Sequence, residues 1–300
     1  MIPPERTAQT YGPGVTGASK SVLLELMATL RSYREALVLV GGWAPYFLLQ
    51  QHQRPQDPFV HVGSIDIDIA VDPAKVDEAQ YETIVGLLQD RGYRPAADRR
   101  GQPLPDCFER AVQSPINAKS YTIRVDFLTH LQDPRPGRHR HLPVQDGLMA
   151  RKIHGCDAAF AHAETFDLSG ALPDGGVMTV PVRMADVVSC LTMKGIVLGE
   201  RYREKDAYDI YAVIAHYAGG PSDAADAIRP HVAEPLVAEA LSHMRQAFGR
   251  RDGNGPAWAA AFIVNPMFAA EHQRVVTDAY MVVDEFIRLV SRSTAGSAAG

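Results

Sequence analysis

The chain is poor in cysteine and has no long hydrophobic segment. Its three cysteines, Cys107, Cys156 and Cys190, are isolated, and no Cys-x-x-Cys pair occurs. This argues against a disulfide framework or a structural zinc site and predicts small, buried, reduced thiols. No apolar stretch reaches the roughly 20 residues that a membrane-spanning helix needs, and the N-terminus carries no signal-peptide pattern. We therefore expect a cytoplasmic protein that does not associate with membranes.

The sequence also lacks a strong excess of charge of either sign and any internal repeat. Its 300 residues are 46% hydrophobic and 22% charged, with a net charge of -5, so the chain has enough apolar residues for a core and is not globally disordered. A local basic patch remains compatible with RNA binding. The residue pattern changes near position 182, from strand-like alternation to helical periodicity. It predicts an α/β (α+β) fold with a mixed sheet and flanking helices in residues 1–182, and a helical domain in residues 183–300.

The central feature is a short acidic strand, predicted over Ile65–Val71. Alternate side chains of a strand share a face, so Ile65 and the other apolar residues would pack into the core, while Asp66 and Asp68 would emerge together on the other face. Two neighbouring carboxylates repel each other, and a divalent cation is the usual remedy. Mg²⁺ in particular favours a few carboxylates together with substrate phosphates. The alternative is an amphipathic edge strand with two solvated acids.

A third carboxylate lies on a later predicted strand, Tyr121–Leu128. Its alternation places Arg124 and Asp126 on one face and the apolar residues on the other. If this strand pairs beside the first, Asp126 reaches the same metal site.

A glycine pair follows the first predicted strand. The apolar run Ala36–Val40 ends at Gly41-Gly42, and a helix resumes at Trp43. A strand, a glycine turn and a helix allow backbone N–H groups to approach a phosphate. The alternative for the glycine pair is a tight turn alone. Ser64 has the same two interpretations, a phosphate contact or a turn.

Together these residues resemble the signature of the nucleotidyltransferase superfamily, which includes the DNA polymerase beta-like enzymes. The signature combines a Gly-Gly or Gly-Ser turn, here Gly41-Gly42, with an Asp-x-Asp pair, here Asp66 and Asp68, and a third aspartate, here Asp126. The segment between the glycines and the aspartate pair is longer than is usual for the superfamily. The resemblance implies a catalytic domain in residues 1–182 and a helical substrate- or nucleotide-binding domain in residues 183–300.

The helical half is similar to the AbiEii/MenT-type toxin nucleotidyltransferases of toxin–antitoxin systems. The resemblance covers roughly residues 36–217 and includes a pattern of five charged residues: Lys194, Arg201, Lys205, Asp206 and Asp209. It implies that Lys194 and Lys205 meet nucleotide phosphates, and that the two aspartates position Lys194 or the ribose, or accept a proton from the nucleophile. Alternatively, Lys205 and the aspartates are ordinary residues of a helix start, and Lys194 extends its charge to solvent from an apolar surface.

The resemblance implies transfer of NMP from an NTP to an acceptor hydroxyl, with two Mg²⁺ ions held by Asp66 and Asp68 and with Asp126 completing one of the two metal sites. It further implies tRNA as the acceptor and an antitoxin as a protein partner. A basic segment from Arg135 to His141 fits RNA binding or a solvated loop. The alternatives are a small-molecule adenylyltransferase of the aminoglycoside-modifying kind, a metal-dependent phosphohydrolase, and a non-catalytic nucleotide-binding regulator.

Overall fold

The computed structural model describes residues 7–76, 82–131, 140–200 and 204–296, with side chains up to residue 292. Within these residues the fold is mixed α/β: a mixed sheet carries flanking helices, and the C-terminal region is helical. The predicted fold class is thereby confirmed.

The bounds of the regular elements follow in chain order. The strands are β1 Leu37–Val40, β2 Ile67–Val71, β3 Arg94–Ala97, β4 Pro103–Gln113, β5 Ser120–Thr129, β6 His141–Gln145, β7 Leu148–Lys152, β8 Ala163–Ala171 and β9 Val177–Ala185. The helices are α1 Pro13–Thr29, α2 Trp43–His52, α3 Ile84–Asp90, α4 Asp157–Ala161, α5 Val187–Glu200, α6 Glu204–His216, α7 Pro221–Ile228, α8 Pro235–Phe248, α9 Asn254–Ile263 and α10 Ala269–Gly296.

The chain divides into two compact units. The sheet unit consists of Tyr11–Ala44 and Gly63–Asp186. The helical unit consists of Pro45–Val62, the residues from Val187 onward and a short N-terminal segment. A single boundary near residue 182 assigns Pro45–Val62 to the first domain, whereas the structure groups this segment with the C-terminal helices.

The acidic strand β2 lies in the interior of the sheet. The strand order is β3-β4-β5-β2-β1-β9-β8, with β7 pairing to β5 and β6 to β7. β2 runs antiparallel to β1 and parallel to β5. The interpretation of β2 as an edge strand is therefore wrong. The strand begins at Ile67, so Ile65 precedes it and is half-buried, not a core residue as expected.

The core of the sheet unit follows from its apolar runs. All four residues of β1 are buried, as expected for a strand with neighbours on both sides. Helix α1 packs on the sheet through buried residues at helical spacing, among them Val22, Leu23 and Leu26. It begins at Pro13, where a proline costs no hydrogen bond because the first helical N–H groups have no partner within the helix.

The helical unit is built on α6, whose buried face contacts α9 and α5. Ala207, Tyr208 and Ile210 of this helix are buried among apolar neighbours. Prolines mark the starts of α7 and α8, at Pro221 and Pro235. Among the described residues, no helix combines the length and the apolar character that crossing a membrane requires.

Candidate functional site

The sheet unit brings two of the predicted metal ligands side by side. β2 and β5 are parallel neighbours, and their register places Asp68 opposite Asp126. Side chains at paired positions of adjacent strands lie on the same face of the sheet. Asp66 lies in a bend directly before the first residue of β2. We call Asp66, Asp68 and Asp126 the acidic cluster.

The glycine turn after β1 is packed against this cluster. Val40, the last residue of β1, pairs with Asp68, and Gly41 follows with φ +67°. A Cβ atom at Gly41 would lie 2.7 Å from Asp68 Cγ and closer still to Oδ2. Position 41 therefore requires glycine for two reasons: the backbone is left-handed, and the Asp68 carboxylate occupies the space of a Cβ atom. As expected, a strand, the Gly41-Gly42 turn and a helix follow one another.

Two arginines provide counter-charge to the acidic cluster. Arg124 of β5 has its Nη2 4.0 Å from Asp126 Oδ1, and Arg151 of β7 has its Nη2 3.8 Å from the same oxygen. Arg151 Nε also lies 3.6 Å from Oδ2 of the buried Asp106, and Nε2 of His141 lies 3.3 Å from Oδ1 of that residue. Two guanidinium groups of the protein thus partly offset the repulsion between Asp68 and Asp126. The sequence analysis expected a bound divalent metal ion alone to do so.

Cys107 of β4 lies opposite Asp126, its partner in the strand register. Arg124 donates to the Cys107 sulfur from Nη2 at 3.0 Å and from Nε at 3.4 Å. Burial and the negative charge of Asp126 raise the pKa of the Cys107 thiol to about 12, against the influence of Arg124. The side chain is therefore a neutral thiol at physiological pH. As predicted, all three cysteines are buried and reduced.

The helical unit contains a second group of candidate residues, which we call the lysine–aspartate network. Lys194 of α5 lies 2.8 Å from Asp206 Oδ1 and 2.6 Å from Asp209 Oδ2, both on α6. Lys205 lies 2.7 Å from Asp209 Oδ1. The contacts agree with the expectation that the aspartates position Lys194. They argue against the alternative that Lys194 extends to solvent, because its side chain is only 12% exposed.

His61 belongs to this network, although the sequence analysis did not identify it. Its Nε2 lies 3.0 Å from Asp209 Oδ1, and the two side chains are 1% and 0% exposed. The imidazole stacks on Tyr208, with ring centroids 5.0 Å apart, and the Tyr208 hydroxyl accepts a hydrogen bond from the backbone N–H of Val62. The end of the Pro45–Val62 segment is thus tied to α6.

Burial and the charges of neighbouring side chains together set the protonation states in the network. Burial lowers the pKa of His61 to about 4, helped by the nearby lysines and opposed by Asp209. Burial alone would raise the pKa of Asp209, but Lys194 and Lys205 hold it far below its usual range. Burial also opposes the charge of Lys194, yet Asp206 and Asp209 raise its pKa. His61 is therefore neutral and donates from Nε2, because an ionised carboxylate only accepts.

A second contact ties the Pro45–Val62 segment to α6. Asp57 Oδ2 lies 2.7 Å from His216 Nδ1, and the Phe59 ring stacks on the His216 ring with centroids 3.9 Å apart. His216 follows Asp209 by two turns of the helix, so both anchors lie on one face of α6. These anchors give the physical reason why the segment joins the helical unit.

Some predicted residues have no distinctive contact or are not described. Ser64 is buried two residues before Asp66, in the segment that enters β2. Arg201 lies outside the described residues, as do residues 135–139 of the basic segment. Of its charged members, Arg140 and His141 are described.

Comparisons with known proteins add no further identification. Models of protein families, curated proteins and solved structures were compared with the chain, and none matched. The resemblance to nucleotidyltransferases therefore stays a hypothesis supported by the residues of this chain.

Proposed function

We propose that this protein is a metal-dependent nucleotidyltransferase, which moves NMP from an NTP to an acceptor hydroxyl. One observation carries the proposal: Asp68 and Asp126 occupy the same register on adjacent parallel strands, with Asp66 directly before the first of these strands. The Gly41 turn packed on Asp68 adds the phosphate-approach element of such sites.

The acidic cluster offers the type of donor atom that a hard divalent cation prefers. It offers carboxylate oxygens, which Mg²⁺ prefers to the nitrogen and sulfur ligands of softer metals. The space beside Gly41 accommodates the Asp68 carboxylate at the end of β1. Asp66, Asp68 and Asp126 would hold the cation, and Mg²⁺ bound there supplies neutralisation of phosphoryl charge and polarisation of the reacting oxygens.

Other residues would position the nucleotide. The backbone N–H groups of the Gly41-Gly42 turn donate to phosphate oxygens, with the N-terminal end of α2 adding positive potential. Phosphoryl transfer depends chiefly on such positioning and charge neutralisation, without a covalent intermediate. Ser64 is proposed as a further phosphate contact.

The lysine–aspartate network is proposed to help position the nucleotide. Lys194 and Lys205 are proposed to interact with nucleotide phosphates, while Asp206 and Asp209 hold Lys194 in place. The two short ion pairs of Lys194 support the positioning part of this proposal. Lys194 already pairs with two carboxylates. Its contact with a nucleotide phosphate is therefore a prediction. By resemblance to the AbiEii/MenT group, the proposed acceptor is tRNA and the proposed protein partner an antitoxin.

The test is incubation of the full chain with Mg²⁺, total tRNA and each labelled NTP in turn. Wild type should transfer label to an acceptor and release pyrophosphate, whereas Asp68→Asn should do neither while keeping its thermal unfolding midpoint near the wild-type value. Asp90→Asn is the matched control, since Asp90 is exposed at the end of α3. Equal transfer by wild type and a folded Asp68→Asn would refute the proposal, and release of free phosphate without a labelled acceptor would favour a phosphohydrolase.

A further inference from the structure

Each of the two arginines beside Asp126 makes its shorter contacts with a residue of β4 and not with Asp126 itself. Arg124 donates two hydrogen bonds to the Cys107 sulfur. Arg151 lies beside the buried Asp106, whose other oxygen faces His141. Both anchors, Cys107 and Asp106, are neighbouring residues of β4, so one strand holds both guanidinium groups next to the acidic cluster.

Their contacts with Asp126 itself are loose. A charge-assisted N–H···O hydrogen bond spans about 2.7–2.9 Å, whereas the guanidinium nitrogens of Arg124 and Arg151 lie 4.0 and 3.8 Å from Asp126 Oδ1. Each arginine side chain is 42% exposed, although it lies next to a carboxylate that is only 16% exposed. A guanidinium has five N–H donors, so each arginine retains donors for an anion from solution.

We propose that Arg124 and Arg151 form a phosphate-binding pair, which shields Asp126 in the metal-free protein and binds a triphosphate when a divalent cation takes over that carboxylate. The inference rests on the proposed function, because a nucleoside triphosphate is its ligand. Planar guanidinium groups pair with the oxygens of phosphates and carboxylates alike, but two of them side by side match the multiple negative charge of a triphosphate, which favours this ligand over a singly charged carboxylate or a neutral sugar.

The proposal predicts effects of opposite sign on two ligands. In the absence of nucleotide the arginines repel an incoming cation and compete with it for Asp126. Removing one of them should therefore tighten Mg²⁺ binding, by roughly three- to tenfold from the Coulomb energy of a unit charge and a divalent ion about 6 Å apart in water. With Mg²⁺ bound, removal of the same arginine should weaken triphosphate binding on the order of tenfold or more, because a charge-assisted contact is lost.

The experiment uses calorimetry on the full chain, first with Mg²⁺ alone and then with inorganic triphosphate at a fixed excess of Mg²⁺. The variants are Arg124→Ala and Arg151→Ala. Arg34→Ala is the matched control, since Arg34 is an exposed arginine of the same unit that pairs with the adjacent Glu35. It should change neither affinity.

Arg124→Lys and Arg151→Lys distinguish a loss of phosphate binding from a folding defect. A lysine preserves the positive charge but not the planar pair of donors, so Mg²⁺ affinity should stay near the wild-type value while triphosphate affinity falls. A 5′-hydroxyl RNA oligonucleotide distinguishes the source of the phosphate, and its binding should change less than that of inorganic triphosphate.

The outcomes separate this inference from the proposed function. Tighter Mg²⁺ binding together with weaker triphosphate binding in the alanine variants supports the arginine pair, whether or not NMP transfer is observed. Unchanged or weaker Mg²⁺ binding overturns it, as does unchanged triphosphate binding, even if the wild-type protein transfers NMP. Loss of oligonucleotide binding with triphosphate binding intact also overturns it.

Discussion

The buried histidine of the lysine–aspartate network should make the protein markedly less stable at mildly acidic pH. His61 is neutral when folded, with a pKa of about 4 against 6.5 for an exposed histidine, because it is buried and lies close to two lysines. Between pH 6.5 and pH 4 the unfolded chain therefore binds a proton at His61 that the folded chain does not bind. The stability that depends on neutral His61 is complete above pH 6.5 and declines as the pH falls towards 4.

The magnitude follows from the two pKa values. Titration of His61 alone removes roughly 2–3 kcal/mol from the free energy of unfolding between pH 7 and pH 4.5 at 25 °C. Other groups titrate over the same range, so the comparison is with His61→Gln, which keeps an N–H donor for Asp209 but does not titrate. Urea unfolding of both proteins at the two pH values isolates the histidine.

Wild type should lose roughly 2–3 kcal/mol more than His61→Gln over this interval. NMR of the His61 imidazole should show no protonation above pH 5. An equal loss in both proteins, or a titration of His61 near pH 6.5, would refute the reasoning that burial holds this histidine neutral.

Three further predictions concern backbone, charge and thiol. Gly41→Ala and Gly101→Ala should each cost about 1 kcal/mol for a left-handed backbone, since the φ angles are +67° and +78°. Only the change at Gly41 displaces a carboxylate, so its thermal unfolding midpoint should fall further, and equal falls would contradict the packing. Lys194→Met should cost roughly 3–5 kcal/mol, because it strands buried carboxylates. Adding Asp206→Asn should recover part of that loss, whereas additive losses in a double-mutant cycle would count against the ion pair. Native Cys107, with a pKa of about 12, should resist iodoacetamide at pH 8 and react in urea; fast labelling of the native protein, read by mass spectrometry, would exclude a buried thiol.

The fold class was predictable because its signals are local. The buried residues of β1 form an uninterrupted apolar run, and the alternation in β2 shows which face of the sheet Asp68 takes. The pairing of β2 with β5 is not local. The register of Asp68 with Asp126 depends on which strand becomes the neighbour of β2, and the alternation of either strand is compatible with several neighbours.

The residues around the candidate sites were harder to predict for the same reason. The partner of His61 is Asp209, 148 positions away, and nothing in the spacing of either residue indicates the other. Arg151 reaches Asp126 only because β7 continues beside β5 beyond the point where β4 ends its pairing. The helix pattern after Gly42 predicted α2, but gave no signal that its C-terminal part would pack in the helical unit.

The central claim is that the acidic cluster binds a divalent cation together with a nucleotide. The most direct measurement is a crystal of the full chain soaked with Mn²⁺ and an NTP, read by anomalous scattering. The account predicts a Mn²⁺ peak within coordination distance of the Asp68 and Asp126 carboxylates and next to the triphosphate. Mn²⁺ and nucleotide bound elsewhere, with these carboxylates facing only Arg124 and Arg151, would contradict it.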